Sequence, residues 1–573
     1  MRSDAGGGPA APPGHRRQPR LTRKERRARD AAVAEPDARV GEVDEETPDG
    51  PAAGGVEADR FGARELALAA GSGLLLLVAA PPRDLWPIGL VALVPLALAL
   101  RKASPWHAFF LGWLCGFVVN LGGFRWTVPV LEHFGHVSLP TRALVLLVAA
   151  AYQGAVFALW CGLARLLERR ARVPLVIAAP LAVAVAESLL PFVFPWHLAI
   201  VIWRAWPLIQ VAEIGGPVAV SALVVLVGFL LAGLIAARLE KAPAPIVLRR
   251  GAAVVAAIVV LGLARAGHVA WQRGASPHVK VGVVQPNAGL LTADERKLHG
   301  EQQVAVLRNA TTELGQRGAE LVVWPESSFP FYFDRELRRE YAQGHPWQLR
   351  KDFHGALLFG ALTHRFGGST LQNSAVLVAP DGKVAGIYDK TQLLVFGEYV
   401  PFADRYPDWA AGVRARLPDS PDIEPGDGPK LLQTGALRIG PLICYEDILP
   451  WYVDELASFR PNLLVTVANH AWFGDTEAPS QALALATLRS VETRRDLVRA
   501  TMTGVSSIGD ALGRVHARSG LHAEAAPPET LLDEVALVET FALGPWAAPV
   551  FPWLCAAALA ALAVRGRLTR RAS

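Results

Sequence analysis

Three residues whose side chains together support acyl-group chemistry lie at the ends of predicted strands. Glu326 ends the segment LVVWPE, Lys390 ends YDK, and Cys444 lies in IGPLICYED, where a buried strand breaks into a predicted helix at 445–447. The thiolate, not the thiol, is the nucleophile, so a cysteine needs a neighbouring base or cation to react. A carboxylate and an ammonium near Cys444 would supply both, and the set therefore predicts covalent nucleophilic catalysis.

Each of these residues also has an ordinary structural explanation. A surface glutamate that caps a turn would look like Glu326, an isolated lysine is usually solvated, and an isolated buried cysteine is usually inert. Lys390, however, precedes the apolar segment TQLLVFGEYVPF, and a buried ammonium needs a partner. Backbone N–H groups after a thiol at a strand-to-helix corner can stabilise an oxyanion. The joint order of the motifs is more specific than any single residue.

The order WPE, YDK with FGEYVPF, CYED and NHAWFG resembles the nitrilase superfamily, whose members use a Glu–Lys–Cys triad. The apolar segments LWPIGLVALVPLALAL, GWLCGFVVNLGGFRW, FPWHLA and AEIGGPVAVSAL narrow the resemblance to the apolipoprotein N-acyltransferase family. It covers nearly the whole chain beyond the first sixty residues. The resemblance implies that Glu326 is the general base, that Lys390 supports the oxyanion, and that Cys444 is the nucleophile. It also implies that three further residues shape or adjoin the site: Glu398, Tyr445 and Glu446.

The implied reaction moves an acyl chain from a membrane glycerophospholipid, through a Cys444 thioester, to the N-terminal amine of a diacylglyceryl-cysteine lipoprotein. A membrane-tethered carbon–nitrogen hydrolase of the amidase or nitrilase type would use the same triad, with water replacing the amine. A catalytically inactive membrane scaffold is a third hypothesis, which the intact triad disfavours. Seven spans before the domain favour lipid-anchored substrates over a soluble one.

Several positions depart from the family pattern. Gln392 and Val395 stand where the family usually has His and Pro, His470 replaces Asp in NDAWFG, and Met502 replaces Asn in RATNTG. The segment QPNAGLLTADERK also lacks a tryptophan that the family often has there. These changes leave the triad intact, so we expect them to affect pocket shape and substrate preference rather than the class of reaction.

Other polar residues are weaker candidates. His470 could form a dyad with Cys444, although replacement of an outer aspartate is the preferred interpretation. Glu187 and Glu213 lie in or near apolar spans, where a carboxylate is either functional or a structural contact between helices. The fourteen histidines show no HExxH or Cys/His ligand spacing, so we expect neither a metal nor a cofactor.

Composition indicates a membrane protein with an inserted soluble domain. Among 573 residues, 52% are hydrophobic and 19% are charged, below the roughly 25% of ordinary soluble domains. Three of the four cysteines lie in apolar runs, which excludes a disulfide framework around Cys444. The net charge of +5 resides largely in tails and short loops, and no nucleic-acid motif occurs. We therefore expect no nucleic-acid partner, and a monomer.

Apolar runs predict about eight spans, at roughly 65–81, 85–101, 106–124, 143–164, 173–189, 217–237, 251–267 and 546–564. Alternate loops are basic, as the positive-inside rule requires if the amino-terminal tail is cytoplasmic. The predicted inside loops carry Arg101, Lys102, Arg165, Arg169, Arg170, Arg172, Arg238, Lys241, Arg249 and Arg250. The predicted outside loops carry only Arg83, Arg125, Arg142 and Arg204. This asymmetry places the large domain in the periplasm, with the chain in the bacterial inner membrane.

The expected organisation is a disordered cytoplasmic tail (1–60), a membrane domain of seven spans (61–267), a periplasmic nitrilase-like catalytic domain (268–545), and an eighth span with a basic cytoplasmic tail (546–573). Within the large domain, apolar strands are predicted at VKVGVVQP, LVVWPE, ALLFGAL, NSAVLVA, LRIGPLICYE, NLLVTVANHAWFG and LVRATMTGVSS, with helices at 292–315 and 479–495. Continuous apolar strands are typical of sheets covered on both faces. The fold class is therefore a polytopic helical bundle carrying an α/β sandwich, of the αββα type that the resemblance implies.

Overall fold

The computed structural model describes residues 62–572, apart from 136, 193, 290–292, 365–370, 396, 416–422 and 522–525. The tail expected over 1–60 lies outside the described residues. The first half of the described chain forms helices, in keeping with its long apolar runs. These helices are α1 (Ala63–Ala79), α2 (Trp86–Gly89), α3 (Val94–Leu100), α4 (Pro105–Gly123), α5 (Thr127–Gly135), α6 (Leu139–Ala171), α7 (Leu175–Leu189), α8 (Ala212–Leu239) and α9 (Ile246–Ala275).

Small residues allow close packing between the helices. A Cβ placed on Gly112 of α4 would lie 2.5 Å from the carbonyl oxygen of Phe157 in α6. Membrane helices commonly associate through such small residues, because these let two backbones approach closely. α4 begins after Ser104, whose hydroxyl accepts the His107 N–H at 3.1 Å. Capping of this kind satisfies a backbone donor that the first helical turn leaves free.

Within the described part of the chain, five helical segments are long and apolar enough to cross a membrane: Pro105–Gly123, Leu139–Ala171, Ile209–Leu239, Ile246–Ala275 and Phe551–Thr569. The predicted count of eight spans is therefore not confirmed. The second predicted span, 85–101, forms the two short helices α2 and α3 instead of one. Pro95 lies in the first turn of α3, where its missing N–H is tolerated, but it cannot continue a helix arriving from α2. α7 has only 15 residues, fewer than the roughly 20 of a full span.

α8 contains a kink at Gly215 and Gly216. Gly216 has φ +61 and ψ −157, a backbone conformation that suits glycine because it has no Cβ. The helix residues before the kink include Glu213, whose carboxylate accepts hydrogen bonds from Arg265 of α9. The predicted span 217–237 therefore starts just beyond the kink, while the helix itself starts at Ala212.

The second half of the chain contains two β-sheets. The seven-stranded sheet has the order β13-β1-β2-β4-β5-β6, with β3 paired to β4. Its strands are β1 (His278–Gln285), β2 (Leu321–Val323), β3 (Phe329–Asp334), β4 (Ala356–His364), β5 (Gln372–Val378), β6 (Val384–Asp389) and β13 (Glu529–Ala536). The six-stranded sheet has the order β12-β11-β10-β9-β8-β7. Its strands are β7 (Leu432–Thr434), β8 (Leu437–Ile443), β9 (Leu463–Ala468), β10 (Asp496–Thr501), β11 (Ser507–Gly509) and β12 (Val515–Arg518).

The two sheets pack face to face, and helices cover their outer faces. Val283 and Leu321 of the first sheet share one buried cluster with Ile439 and Val465 of the second. Outside the first sheet lies α10 (Ala293–Gln316), and outside the second lie α12 (Pro450–Ser458) and α13 (Ala478–Thr493). The predicted αββα sandwich is confirmed. The remaining helices are α11 (Pro407–Arg414), α14 (Gly544–Ala547) and α15 (Phe551–Ala572).

Buried polar contacts join the bundle to the sandwich. Arg494, just after α13, donates to Glu213 Oε2 at 2.8 Å, while Arg265 donates to Glu213 Oε1 at 2.7 Å. At the end of α4, Trp126 packs edge-on against Phe473, with ring centroids 5.3 Å apart. Glu213 is therefore a structural contact between helix and sandwich. Glu187 likewise has partners within the bundle, because it accepts the Leu198 N–H at 2.9 Å.

Candidate active site

Glu326 lies just beyond β2, where Trp324 and Pro325 end the strand. The backbone passes close to β4 here, since a Cβ on Gly360 would lie 2.5 Å from the Glu326 Cα. The carboxylate is buried and receives three donors. The Asn469 N–H donates to Oε2 at 2.7 Å, the Asn373 amide donates to Oε1 at 2.6 Å, and Lys390 Nζ lies 3.2 Å from Oε1. These contacts fix the carboxylate in one orientation.

Lys390 follows β6 and is almost fully buried, with 2% of its surface exposed. Its N–H donates to the Asn373 carbonyl at 2.8 Å, so the β5–β6 hairpin sets the position of the lysine. Nζ lies between two carboxylates, 3.2 Å from Glu326 and 2.8 Å from Glu398 Oε2. Burial alone would lower the pKa of Lys390, but the charges of Glu326 and Glu398 outweigh it and hold the pKa well above its usual value. Lys390 is therefore a permanent cation at neutral pH.

Glu398 and Asn373 complete a buried polar network around the ammonium. Asn373 Nδ2 donates to both carboxylates, at 2.6 Å to Glu326 and 2.9 Å to Glu398. Glu398 also accepts the N–H of Leu394 at 2.8 Å, so it holds the loop after Lys390 against the lysine. The sequence reasoning missed Asn373. No motif in the sequence marks it, because its contacts depend on the register of the β5–β6 hairpin.

Cys444 lies where β8 ends and a 3-10 helix (Cys444–Ile448) begins. Its φ of +52 is unusual for a residue with a Cβ and costs of order 1–3 kcal/mol, a strain that is common at active sites. Burial raises the pKa of the Cys444 thiol above its usual range, and the charge of Glu326 acts in the same direction. The charge of Lys390 and a hydrogen bond from the Asn469 backbone act against this rise in the thiol pKa. The raised pKa favours the protonated form of the Cys444 thiol.

Glu446 is fully buried two residues after Cys444. Its carboxylate accepts the N–H groups of Thr391 at 2.7 Å and Gln392 at 3.1 Å, and the N–H of Ile443 at 2.8 Å. Burial raises the pKa of Glu446 to about 7, while the donors from Ile443, Gln392 and Thr391 oppose that rise. One carboxylate thereby joins the turn that carries Cys444 to the loop that follows Lys390. Glu446 is positioned to hold these two parts of the site together.

Tyr445 follows the nucleophile and is half-buried. Its ring packs against apolar clusters of both the helical bundle and the second sheet. Burial raises the pKa of Tyr445 to about 12, with a contribution from Tyr399, so its hydroxyl stays protonated. Tyr445 therefore lies between the helical bundle and the second sheet.

His470 lies beside Asn469 but is not arranged as a base. It is buried, and burial together with the charge of Arg499 lowers its pKa to about 3. Its ring contacts Phe473, and Nδ1 has no hydrogen-bond partner among the described residues. Arg499 itself pairs with Asp447 at 2.8 Å. A neutral imidazole at this position fits the interpretation that His470 replaces an aspartate outside the group of reacting residues. It does not fit a Cys–His dyad as well.

Met502, Gln392 and Val395 also depart from the family pattern. At each of these positions the contact with the neighbouring residues is made by the backbone and not by the side chain. The Met502 N–H donates to the Ala468 carbonyl, and the Met502 carbonyl accepts the Asn287 N–H, each at 3.0 Å. Gln392 contributes its N–H to Glu446. Val395 forms an isolated bridge to Tyr399 within the loop. Side-chain changes at these positions therefore leave the hydrogen bonds of the site in place.

Two family models match the chain. Residues 72–230 match the apolipoprotein N-acyltransferase N-terminal domain, and residues 280–538 match the carbon-nitrogen hydrolase domain. Two similar proteins carry the name apolipoprotein N-acyltransferase. The one from Geobacter metallireducens is 32% identical over 88% of this chain and 96% of its own length. The one from Azotobacter vinelandii is 35% identical over 79% of this chain and 86% of its own length.

Two solved structures match part of the chain. A mutant of the Nesterenkonia AN1 amidase from the nitrilase superfamily is 19% identical, with a TM-score of 0.34, over 48% of this chain and 97% of its own. Saccharomyces cerevisiae Nit3, also of the nitrilase superfamily, is 18% identical with a TM-score of 0.33, over 45% of this chain and 90% of its own.

Proposed function

This chain belongs to the apolipoprotein N-acyltransferase family, and we propose that its donor is a membrane glycerophospholipid and its acceptor the N-terminal amine of a diacylglyceryl-cysteine lipoprotein. The observation that carries the proposal is the contact between a nitrilase-type site and apolar helices. Phe473, four residues after the Asn469 that donates to Glu326, packs against Trp126 at the end of α4. A site for substrates that are anchored in lipid must lie against the membrane domain in this way.

In the first step, Cys444 Sγ attacks the ester carbon of the donor while Glu326 takes the thiol proton. The tetrahedral oxyanion is stabilised by Lys390 and by backbone N–H groups near the nucleophile. Collapse breaks the ester C–O bond, and Glu326 returns the proton to the leaving alkoxide. The products are a Cys444 thioester and a lysophospholipid, with the charge of the buried network unchanged.

In the second step, the acceptor amine attacks the thioester carbon. Glu326 takes a proton from the amine and delivers it to the departing thiolate as the C–S bond breaks. An amide forms, and the Cys444 thiol is regenerated. Because Lys390 remains a cation throughout, it stabilises both oxyanions without taking part in the proton transfers. Glu398 and Asn373 hold it in that position.

The segment Leu393–Phe402 is the proposed lid for acyl chains, with residue 396 outside the described residues. Phe402 is 74% exposed and Tyr399 is 40% exposed, so this segment presents apolar surface to its surroundings.

The proposed domain division remains 61–267 for the membrane domain and 268–545 for the catalytic domain. The proposed location is the bacterial inner membrane, with the catalytic domain in the periplasm and the chain a monomer.

The test is acyl transfer in lipid nanodiscs that contain a synthetic phospholipid donor and a diacylglyceryl lipopeptide acceptor. Mass spectrometry should show the triacylated lipopeptide and an equal amount of lysophospholipid with the wild type, and neither product with Cys444→Ala. A soluble short-chain amide in the same nanodiscs tests the hydrolase alternative. Amide hydrolysis without acyl transfer to the lipopeptide would overturn the proposal.

A further inference from the structure

A cleft lies at the end of the helical bundle that is remote from Cys444. α4 ends beside the sandwich, where Gln481 donates to the Gly123 carbonyl at 2.8 Å. Its other end, at Pro105, is about 28 Å away by helix geometry. α8 runs in the opposite direction, from Glu213 at the sandwich to Leu239 at this remote end. Arg101, before α4, and Glu240, after α8, meet at this remote end.

The cleft has an apolar interior of about 250 Å³, close to the lower limit of ordinary small-molecule sites. Small and branched side chains from the ends of α3, α7, α8 and α9 line it, among them Ala97, Val176, Ala232 and Leu248. Gly233 allows Leu248 to approach, since a Cβ there would lie 2.8 Å from the leucine Cδ2. An interior of this composition suits a hydrocarbon chain.

The mouth of the cleft carries charged groups of both signs. Arg101 Nη1 lies 2.8 Å from Glu240 Oε1, with the two side chains 41% and 56% exposed. Glu168, which also lines the cleft, is paired with Arg165. The mouth therefore presents one cation, Arg101, and two carboxylates, Glu240 and Glu168, and a headgroup that carries one charge of each sign can pair with both kinds of group. A purely anionic headgroup would meet both carboxylates unfavourably.

The outer surface beside the mouth is apolar. Leu239 is 75% exposed and Ile246 is 61% exposed, on the two helix ends that flank the loop 240–245. Exposed apolar side chains next to charged ones mark the boundary between hydrocarbon and headgroups. A lipid in the surrounding leaflet can therefore place its headgroup at the mouth and one chain in the cleft.

We propose that this cleft binds one phospholipid whose headgroup contains both a phosphate and an ammonium group. The phosphate accepts hydrogen bonds from Arg101, the ammonium donates to Glu240 or Glu168, and an acyl chain fills the apolar interior. Basic pockets between membrane helices are known to bind lipid headgroups, and the carboxylates here add selectivity for a zwitterion. The site is separate from the Cys444 site and does not depend on the proposed reaction.

The test counts retained lipids by native mass spectrometry on the full-length protein. All variants carry Cys444→Ala, so that no donor is consumed, and are reconstituted with equal amounts of phosphatidylethanolamine and phosphatidylglycerol that have identical chains. After extraction into detergent, we expect one retained phosphatidylethanolamine per chain. Ala242→Trp should block the mouth, because Ala242 is an exposed lining residue. Arg101→Ala should lower retention about tenfold or more, as expected for one lost charge-assisted hydrogen bond.

Ala244→Trp, on the same loop but outside the lining, is the matched control and should retain the lipid. With Cys444 restored, Ala242→Trp should keep acyl transfer within about twofold, which shows that the chain folds. Equal retention by Ala242→Trp and Ala244→Trp would overturn the site. Equal retention of the two phospholipids would overturn the zwitterion assignment, and a retained detergent molecule in place of lipid would overturn both.

Discussion

The carboxylate of Glu446 accepts the N–H of Thr391 at 2.7 Å, so the turn that carries Cys444 is joined directly to the residue after Lys390. Ile443 and Gln392 donate to the same carboxylate. Lys390 directly follows a strand of one sheet, and Cys444 directly follows a strand of the other. Glu446 thus ties the positions of Lys390 and Cys444 together across the two sheets.

Glu446→Gln should lower kcat by about tenfold or more. A glutamine amide presents N–H groups where the carboxylate accepted them, and each buried donor left without an acceptor costs about 1–3 kcal/mol. The pKa of Glu446, raised from 4.5 to about 7, adds a signature in stability. Its favourable contribution is fully present below pH 4.5 and is lost as the pH rises through about 7.

Thermal unfolding at several pH values measures this contribution. The difference in Tm between wild type and Glu446→Gln should shrink from pH 5 to pH 8. Glu301→Gln, at an exposed position, serves as the control. Its difference in Tm from the wild type should stay constant between pH 5 and pH 8. A constant difference for Glu446→Gln as well would contradict the raised pKa.

Cys444→Ser should abolish turnover, because an alcohol is far less ionised than a thiol near neutral pH. Intact-mass analysis after incubation with phospholipid alone should show a hydroxylamine-labile acyl adduct on the wild type. Cys555→Ser, which changes a buried cysteine of α15, is the control and should still form the adduct. An adduct on Cys444→Ala would refute the assignment of the nucleophile.

Glu326→Gln should lower the rate of thioester formation about 10²–10⁴-fold, the usual cost of removing a general base. Lys390→Ala should be as damaging, because it leaves the oxyanion without its cation. The two variants should differ at high pH. Glu326 raises the thiol pKa and Lys390 lowers it, so Glu326→Gln brings thiol ionisation to lower pH and Lys390→Ala moves it to higher pH.

Single-turnover acylation followed from pH 7 to pH 10 separates these two effects. Partial recovery is expected for Glu326→Gln, and none is expected for Lys390→Ala or for Lys390→Arg, in which a planar guanidinium replaces a compact ammonium. Equal recovery of the glutamine and alanine variants would show that the roles of base and cation are wrongly assigned.

Asn373→Asp should reduce acylation by about 10²-fold or more. A third carboxylate would replace the amide that donates to Glu326 and Glu398, and like charges at this distance favour protonation of one of them. A protonated Glu326 cannot act as the base. Asn309→Asp, on the exposed face of α10, is the matched control and should leave acylation unchanged.

Reporter fusions after Arg172 or Arg250 should behave as cytoplasmic, and fusions after Gly274 as periplasmic. The physical reason is the excess of arginine and lysine in alternate loops. Arg101, before α4, pairs with Glu240, after α8, so these two connections lie on the same side of the bundle. A periplasmic signal from the Arg250 fusion would contradict the proposed orientation.

Much of the sandwich was predictable from sequence, because its central strands are short apolar runs with few alternatives. The elements at Val281, Leu358 and Val465 formed as predicted. The contacts of Asn373 were not predictable, since they depend on the register of the β5–β6 hairpin, in which Ser374 pairs with Asp389. Local composition does not determine such a register.

The number of membrane spans was less predictable for a different reason. Apolar content alone does not distinguish a full span from short helices interrupted by proline, as α2 and α3 are at Pro95. Glycine pairs raise the same difficulty, because Gly216 kinks α8 within a continuous apolar run. Helix packing decides these outcomes, and a hydropathy pattern contains little of that information.

The buried pair of Glu213 and Arg494 has a consequence for how such chains can diversify. Each residue belongs to a different half of the chain, and each is at most 3% exposed at its side chain. Loss of Glu213 would leave the charge of Arg494 buried without this counter-ion, at a cost of about 3–5 kcal/mol, whereas Glu213 would still pair with Arg265 if Arg494 were lost. A recombination that joined this hydrolase half to the helical half of a distant relative would therefore carry a penalty unless that helical half also supplied the carboxylate.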